Sequence, residues 1–222
     1  MAERKPGLRR DIGVLSPKQL LSGYARGIFP MAASASDPRL LWFDPPRRGI
    51  MPLHQMRITR SLARRVRNCG WDVRLNHDFD ATVAGCAERD ETWINAPLSR
   101  LYRRLHEMGN AHSIELYEGD ALVGGLFGVT LGGAFFGESM FSRRRDASKV
   151  AMVWLIHHLR KSGFRLFDTQ YLTTHLASLG GREISRADYR VRLDFALTLP
   201  AVFGVRPLPP VQLVLQEMTQ TS

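Results

Sequence analysis

The sequence predicts an α+β protein in which a small α/β subdomain, residues 1–60, precedes a domain of residues 61–222 with a mainly antiparallel central sheet. Three observations support this prediction. Of the 222 residues, 44% are hydrophobic and 23% are charged, which is the balance of an ordinary globular protein long enough for one large or two small domains. Strand-like segments separated by tight turns follow one another between residues 112 and 139. The strongest helical pattern of the sequence comes shortly after them.

The N-terminal subdomain begins with one well-marked helix. Ser16 is suited to cap this helix, Pro17 fits its first position, and Gly27 ends it. An irregular stretch rich in Ala, Ser and Pro follows, and a short apolar segment at residues 40–44 closes on two prolines.

All of the excess positive charge lies in the first third of the chain. Residues 1–75 contain 15 Lys and Arg against 5 Asp and Glu, whereas residues 76–222 contain 16 of each, so the formal net charge of +10 comes from the first range. A basic segment beside a neutral body is typical of a protein that binds a polyanion, because Lys and Arg that neutralise phosphates release counterions.

A helix predicted to begin at Thr59-Arg60-Ser61 and to run to about Asn68, with Gly70 as its stop, concentrates this charge. Leu62, Val66 and Cys69 form its apolar stripe. The basic side chains beside that stripe are Arg60, Arg64, Arg65 and Arg67. A solvated helix face is the alternative interpretation, but arginines without an interleaved acid repel one another. A phosphate-bearing partner and a solvated face therefore both stay open for this helix.

From residue 71 onwards the order of elements is that of acyltransferases of the GNAT type. The predicted elements are a strand at 71–75, helices at 78–88 and 98–108, strands at 112–117, 121–130 and 134–139, a helix at 146–162, a strand at 164–168, helices at 172–179 and 185–197, and an edge strand near 211–215. Asp146 is the expected N-cap of the long helix. This is an analogy between folds, and a fold does not fix a function.

Several function classes are excluded by what the sequence lacks. No apolar run approaches the ~20 residues of a membrane span, and the polar first residues do not resemble a signal peptide, so we expect a cytoplasmic protein without membrane contact. Cys69 and Cys86 form no C-x-x-C motif, and the adjacent His157 and His158 point to different sides of a helix, so no metal site is predicted. The motifs of nucleoside-triphosphate hydrolases, serine hydrolases and dinucleotide-binding enzymes are absent.

Short polar clusters at predicted strand ends are the candidates for chemistry. Glu138 lies among aromatic residues and Met, where burial raises a carboxyl pKa; a hairpin core with one surface acid is the alternative. Asp168 and Gln170 are two residues apart on a predicted strand and are expected to share a face. Asp168 then accepts a hydrogen bond from the Gln170 amide, unless both are merely polar groups at a strand end.

A series of short segments resembles, in order, the bacterial leucyl/phenylalanyl-tRNA–protein transferase family. These segments are residues 23–30 (GYARGIFP), 42–45 (WFDP), 92–94 (TWI), 105–109 (LHEMG), 111–115 (AHSIE), 122–125 (LVGG), 136–142 (FGESMFS), 147–149 (ASK) and 175–180 (HLASLG). The resemblance covers about residues 15–195, and the GESMFS segment is its most specific part.

The resemblance implies transfer of Leu or Phe, with Met as a further donor, from aminoacyl-tRNA to the α-amine of a protein that begins with Arg or Lys. That addition marks the acceptor for degradation by the N-end rule. The resemblance also implies a monomer with a GNAT-like catalytic domain. No cofactor, ATP or metal is expected, because the aminoacyl ester is already activated.

Residue roles follow from the same resemblance. Gln170 orients the attacking amine, Asp168 polarises and holds Gln170, and Glu138 is the acid lining the site. Residues expected at the 3′ end of the aminoacyl-tRNA are Trp93, Met31, Phe135, Leu126, Met140, Phe167 and Ser142. Met31 stands where the family usually has Trp, so weaker stacking on the terminal adenine is expected.

Rival functions stay open at this point. A CoA-dependent N-acetyltransferase of the same fold needs a glycine-containing loop before the long helix to bind pyrophosphate, and residues 143–149 contain no glycine. An RNA-binding module without catalysis explains the arginines, but it does not explain Glu138 or the pair of Asp168 and Gln170. A transferase with a broader range of acceptors is a variant of the main hypothesis.

Overall fold

Helices and strands alternate along the chain, and most of the strands meet in one sheet. The computed structural model describes residue 13 and residues 15–89, 91–204 and 206–220. Its helices are α1 (Pro17–Ala25), α2 (Arg60–Asn68), α3 (Phe79–Ala87), α4 (Ala96–Glu107), α5 (Ala147–Lys161), α6 (Thr174–Ser178), α7 (Arg186–Leu197) and α8 (Val211–Thr219). Its strands are β1 (Phe29–Met31), β2 (Leu41–Phe43), β3 (Arg47–Ile50), β4 (Asp72–Leu75), β5 (Ala111–Glu118), β6 (Ala121–Leu131), β7 (Ala134–Ser142), β8 (Leu166–Gln170) and β9 (Arg182–Ser185).

A mixed seven-stranded sheet carries the candidate site. Its strand order is β4-β5-β6-β7-β8-β3-β9. β7 and β8 run parallel because α5 connects them as a crossover, and the other neighbouring strands are antiparallel. The predicted α+β class is confirmed.

The first sixty residues contribute to two sheets. β1 and β2 form a separate two-stranded sheet, whereas β3 lies inside the seven-stranded sheet between β8 and β9. Residues 1–12 and 14 of the predicted subdomain lie outside the described residues. The boundary at residue 60 stays a prediction.

The first two helices begin where the sequence predicts, and the predicted cap at Ser16 is confirmed. Ser16 and Gln19 form a reciprocal capping box at α1, and the chain leaves this helix through Gly27 with φ +77°. Thr59 accepts the Leu62 amide at 3.2 Å and caps α2. Local side chains therefore determine where these helices begin and end.

Corrections concern two segments in the C-terminal half. Asp146 precedes α5 with φ 65° and forms no capping hydrogen bond; its carboxylate instead pairs with Lys149 at 2.8 Å. The predicted edge strand near 211–215 is wrong, because this segment starts α8. Its Val214, Leu215 and Met218 are buried at helical spacing, so tertiary burial overrides the strand preference of its β-branched residues.

The remaining differences in the seven-stranded sheet concern three of its strands. The strand predicted at 164–168 lies at Leu166–Gln170, and β3 and β9 were not predicted. Both missed strands are only four residues long and rich in charged side chains, so they lack the apolar alternation of a strand.

The two faces of the sheet carry separate hydrophobic cores. On β7, Phe135 packs in the core that contains α5, whereas Phe136 packs in the opposite core with α1, α3, α4 and α7. Leu126 and Phe127 on β6 divide in the same way. This division follows from the alternation of side chains along a strand. As a result, β6 and β7 are each packed against a hydrophobic core on both faces of the sheet.

Candidate active site

The candidate site lies where β7 and β8 separate. Their parallel pairing ends with Phe136 opposite Asp168, although both strands continue beyond it. Glu138 is an extra residue on β7, because Phe127 pairs with Ser139 while the next residue, Gly128, pairs with Gly137. A bulge of this kind redirects a side chain, and bulges are frequent beside active sites.

A second irregularity lies on β8. Gly49 pairs with Gln170 and Ile50 pairs with Asp168, so Thr169 is the extra residue against β3. Gln170 itself has φ 63°, a conformation that is uncommon for a residue other than glycine. The two irregular strand ends bring Glu138 and Gln170 into contact.

Glu138 is a buried carboxylate surrounded by donors. Its Oε1 accepts the Tyr24 hydroxyl at 2.7 Å, and its Oε2 accepts the Tyr102 hydroxyl at 2.8 Å. The side-chain Nε2 of Gln170 lies 3.2 Å from both oxygens. Burial raises the pKa of Glu138 to about 7, although these donors act in the opposite direction.

Asp168 is fully buried and is held by a different set of partners. Arg48 on β3 donates to both of its oxygens, from Nε at 2.8 Å and from Nη2 at 2.6 Å, and the Tyr189 hydroxyl donates at 2.7 Å. The guanidinium of Arg48 lies between the rings of Phe29 and Tyr189, at 4.5 and 4.4 Å from their centroids. This buried ion pair joins β3, β8 and α7 below the site.

The expected contact between Asp168 and the Gln170 side chain is wrong. Asp168 Oδ1 accepts the backbone N–H of Gln170 at 2.8 Å, and the side-chain amide of Gln170 donates to Glu138 instead. The positive φ of Gln170 breaks the regular alternation on which the expectation rested. Asp168 therefore fixes the main chain of Gln170, while Glu138 fixes the side chain.

A cavity of about 520 Å³ lies against this network and brings together most of the predicted site residues. The predicted residues that line it are Glu138, Gln170, Met31, Trp93, Leu126, Met140 and Phe167. Phe135 lies behind Phe167 with the ring centroids 5.2 Å apart, and Asp168 lies beneath Gln170. Ser142 lines a neighbouring cavity of about 330 Å³, where its Oγ accepts the Ser148 amide at 2.8 Å.

Sequence reasoning did not identify the residues that support the two carboxylates. Tyr24 belongs to the GYARGIFP segment, so the motif contained a signal for it, whereas Tyr102 and Tyr189 have the spacing of ordinary core residues on α4 and α7. Arg48 was counted only within the basic N-terminal third. Its burial beside Asp168 depends on a strand pairing that the sequence does not reveal.

The arginines of α2 lie apart from this cavity. Arg60, Arg64 and Arg67 are exposed and Arg65 is half-buried, while Leu62 and Val66 anchor the helix in the core. None of these arginines forms an ion pair within 4.0 Å with a described residue. Arg64 and Arg65 line a groove of about 340 Å³ together with Arg145, which precedes α5.

The described part of the chain holds neither a metal-binding cluster nor a helix suited to cross a membrane. Within residue 13 and the ranges 15–89, 91–204 and 206–220, no three or more His, Cys, Asp or Glu side chains are grouped as a metal would require. In the same part of the chain, no helix combines the length and the apolar character needed to cross a membrane.

Comparisons with known proteins agree on one family. Residues 50–194 match the family model described as leucyl/phenylalanyl-tRNA protein transferase, and residues 13–46 match the model of its N-terminal domain. The chain is 55% identical to the leucyl/phenylalanyl-tRNA–protein transferase of Paracoccus denitrificans (strain Pd 1222), over 95% of this chain and 99% of that protein. It is 60% identical to the protein of the same name from Cereibacter sphaeroides (strain ATCC 17025 / ATH 2.4.3), over 94% of this chain and 98% of that one.

One comparison with solved structures bears on the fold alone. The crystal structure of FemX aligns with a TM-score of 0.51 at 12% sequence identity, over 75% of this chain and 66% of that chain.

Proposed function

Because this chain belongs to the leucyl/phenylalanyl-tRNA–protein transferase family, we propose that it is the aminoacyltransferase that moves Leu or Phe from aminoacyl-tRNA to the N-terminal α-amine of a protein. The resemblance noted in the sequence is confirmed by these relatives. The structural observation that carries the mechanism is the contact between Glu138 and Gln170 in the wall of an aromatic and methionine-containing cavity.

The proposed reaction is an attack of the amine on the aminoacyl ester. A C–N bond forms, the ester C–O bond to the ribose breaks, and the proton lost by the amine is balanced by one gained at the ribose oxygen. An α-amine has an ordinary pKa of about 7.7–8.0, so part of it is neutral near pH 7. The protein then has to position the reactants, accept a proton and stabilise the developing oxyanion.

Gln170 is the proposed positioning group for the amine. Since its Nε2 donates to Glu138, its Oε1 points away from that carboxylate and is suited to accept an N–H of the incoming amine. Asp168 holds the main chain of the same residue, and Arg48 and Tyr189 hold Asp168. The amide orientation is therefore set from two sides before any substrate binds.

The apolar part of the cavity suits the transferred side chain. Leu126, Met140 and Phe167 line it, and Phe135 supports Phe167 from behind. A methionine adapts its shape readily, which favours a pocket that accepts Leu, Phe and Met. We propose that Trp93 and Met31, which line the same cavity, contact the terminal adenosine.

The acceptor is proposed to begin with Arg or Lys and to be marked for degradation by the N-end rule. Glu138 and Glu91 are the acids among the described residues that line the cavity, and a negative carboxylate favours a cationic acceptor. The arginines of α2 are the proposed contact to the tRNA backbone, since Arg60, Arg64 and Arg67 are exposed and none of the four lines the cavity.

Further properties of the protein are proposed on the family resemblance. These are a GNAT-like catalytic domain over residues 61–222, a small N-terminal domain over residues 1–60, a monomeric state and a cytoplasmic location. The separation of β7 and β8 after Asp168 supports the GNAT-like assignment, because it opens an acyl-sized space in the sheet.

The decisive experiment measures transfer of labelled Leu, Phe and Met from charged tRNA to peptides that begin with Arg, Lys, Asp or Glu. We expect product with Leu and Phe donors and with Arg and Lys acceptors. Product on Asp or Glu peptides would replace the proposed acceptor range with a broader one. RNA binding without product on any peptide would contradict the proposed activity, as would a thermal shift with acetyl-CoA but none with aminoacyl-tRNA.

A further inference from the structure

A second cavity adjoins the proposed aminoacyl site. Its volume is about 330 Å³, which is within the range of small-molecule sites. Arg89, Met140 and His175 line both cavities, so the two spaces meet at these side chains. A ligand seated in the first cavity that continues in this direction enters the second.

The second cavity lies towards the start of α5. Ser148 lines it, and Arg145 and Asp146, only a few residues earlier in the chain, line the groove that also contains Arg64 and Arg65 of α2. The second cavity adjoins the proposed aminoacyl site on one side, and both it and the arginine-lined groove adjoin the N-terminal end of α5. A strand of nucleic acid that leaves the aminoacyl site towards this end of α5 therefore passes over the second cavity.

Arg89 is fixed at the junction of the two cavities. Its Nη2 donates to the Ser139 hydroxyl and to the Met140 carbonyl, both on β7. Its Nε and Nη1 have no hydrogen-bond acceptor among the described residues, and the side chain is exposed. The guanidinium thus has a defined position and unused donors.

The other guanidinium in the second cavity is already neutralised. Arg143 pairs with Glu88 through Nη2 at 2.7 Å, and Nε and Nη2 together contact both carboxylate oxygens. Within the described part of the chain, Arg89 has no carboxylate within 4.0 Å. Among the described residues no salt bridge neutralises the Arg89 guanidinium, and its single positive charge matches the single negative charge of a phosphodiester.

We propose that the second cavity binds the penultimate nucleotide of the aminoacyl-tRNA, and that Arg89 binds the phosphate that links this nucleotide to the terminal adenosine. This inference rests on the proposed function. In this arrangement the 5′ phosphate of the terminal adenosine lies beside Arg89. Met140 and Phe141 line the second cavity and form the apolar surface for the preceding base.

The test compares stable substrate analogues as inhibitors of transfer from full-length aminoacyl-tRNA. The first analogue is adenosine with phenylalanine on a 3′-amide. The second carries an additional 5′-linked cytidine through a phosphodiester, and the third carries the same cytidine through an uncharged methylphosphonate. For the unaltered protein we expect the phosphodiester analogue to inhibit about tenfold more strongly than the other two, because a hydrogen bond to a charged group contributes on that scale.

Substitutions then locate the effect. Arg89→Ala is expected to remove the advantage of the phosphodiester, and Arg89→Lys to retain part of it. Arg144→Ala is the matched control, since Arg144 is exposed, pairs with Glu118 at 3.0 Å and lines neither cavity. This control is expected to keep the full advantage.

Several results would overturn the inference. One is equal inhibition by the phosphodiester and methylphosphonate analogues. Another is stronger inhibition by the phosphodiester analogue that persists in Arg89→Ala. The third is an absence of inhibition by all of the analogues. The methylphosphonate comparison uses the unaltered protein and so does not depend on the folding of a variant. Failure of the proposed function would show itself separately, as no transfer from full-length aminoacyl-tRNA in the uninhibited reaction.

Discussion

Gln170 contacts Glu138 through its side chain and Asp168 through its main chain. Its Nε2 lies 3.2 Å from both oxygens of Glu138, and its backbone N–H donates to Asp168 Oδ1 at 2.8 Å. Each carboxylate thus restrains a different part of one residue. The proposed catalytic amide is oriented by Glu138, and the unusual backbone at Gln170 is stabilised by Asp168.

Gln170→Ala is expected to reduce transfer by about 10²-fold, because the amine loses the hydrogen-bond acceptor that positions it for attack. Binding of aminoacyl-tRNA is expected to survive, since the aromatic and apolar walls of the cavity stay in place. Steady-state transfer and filter binding measure the two effects. The control Gln216→Ala changes an exposed glutamine on α8 and should alter neither. Unchanged turnover in Gln170→Ala would remove the role assigned to this residue.

Arg48→Ala is expected to destabilise the fold by about 3–5 kcal/mol, because it leaves the buried Asp168 carboxylate without its ionic partner. The adjacent Arg47→Ala is the matched control. Arg47 is exposed and lies 3.5 Å from the exposed Glu183, so its loss should cost less than about 1 kcal/mol. Urea unfolding of both variants measures the difference, and equal midpoints would contradict the proposed role of the buried pair.

Glu138→Gln tests the raised carboxyl pKa. Burial raises the pKa of Glu138 to about 7 in the folded protein, whereas the unfolded chain titrates near its ordinary value of about 4.3. Between these values the folded state holds a proton that the unfolded state has lost, so this residue's contribution to the free energy of unfolding falls as the pH rises.

The expected result is a difference in unfolding free energy, natural protein minus Glu138→Gln, that declines from about pH 4.5 to about pH 7 and then levels off. Taking the difference cancels His112 and His158, whose pKa values burial lowers to about 4. Those histidines have the opposite effect on the free energy of unfolding. Because the unfolded state binds their protons at a higher pH than the folded state does, stability falls as the pH drops below about 6.5. Urea unfolding across this pH range measures the difference. A difference independent of pH would show that Glu138 titrates normally.

Arg64→Ala combined with Arg67→Ala is expected to reduce the salt dependence of tRNA binding. Each lost phosphate contact lowers the log–log slope by about one. The control combines Arg103→Ala with Arg104→Ala on α4, where both arginines are exposed and paired with Asp80 and Glu107. An unchanged slope in the α2 variant would place the basic helix outside the tRNA interface.

Features that depend on neighbouring residues in the chain were predictable from the sequence. Ser16 and Thr59 cap the helices that follow them, and the antiparallel meander lies between the turns that bound it. The exception at Asp146 has a local cause, since its left-handed backbone directs the carboxylate to Lys149 instead of the first amides of α5. The misassigned segment of α8 depends on burial against α5, which a local pattern does not report.

The residue types of the site were also predictable, but their contacts were not. Glu138 and Met140 lie in the GESMFS segment, whereas Asp168, Gln170 and the other apolar residues of the cavity were assigned by the family resemblance. The partners that hold them come from distant parts of the chain. Tyr24 and Tyr102 reach Glu138 from α1 and α4. The position of Tyr102 along α4 is that of an ordinary core residue, so the sequence does not reveal that its hydroxyl contacts Glu138.

The sequence by itself determined the family, the α+β class, the segregation of positive charge and seven of the residues that line the cavity: Glu138, Gln170, Met31, Trp93, Leu126, Met140 and Phe167. Only the tertiary structure decided which carboxylate meets which part of Gln170, and that Arg48 is buried rather than part of the basic surface. The physical reason is that both outcomes depend on register. The extra residues at Glu138 and Thr169 exist only relative to the strands beside them, and a strand's own sequence does not specify the pairing that creates them.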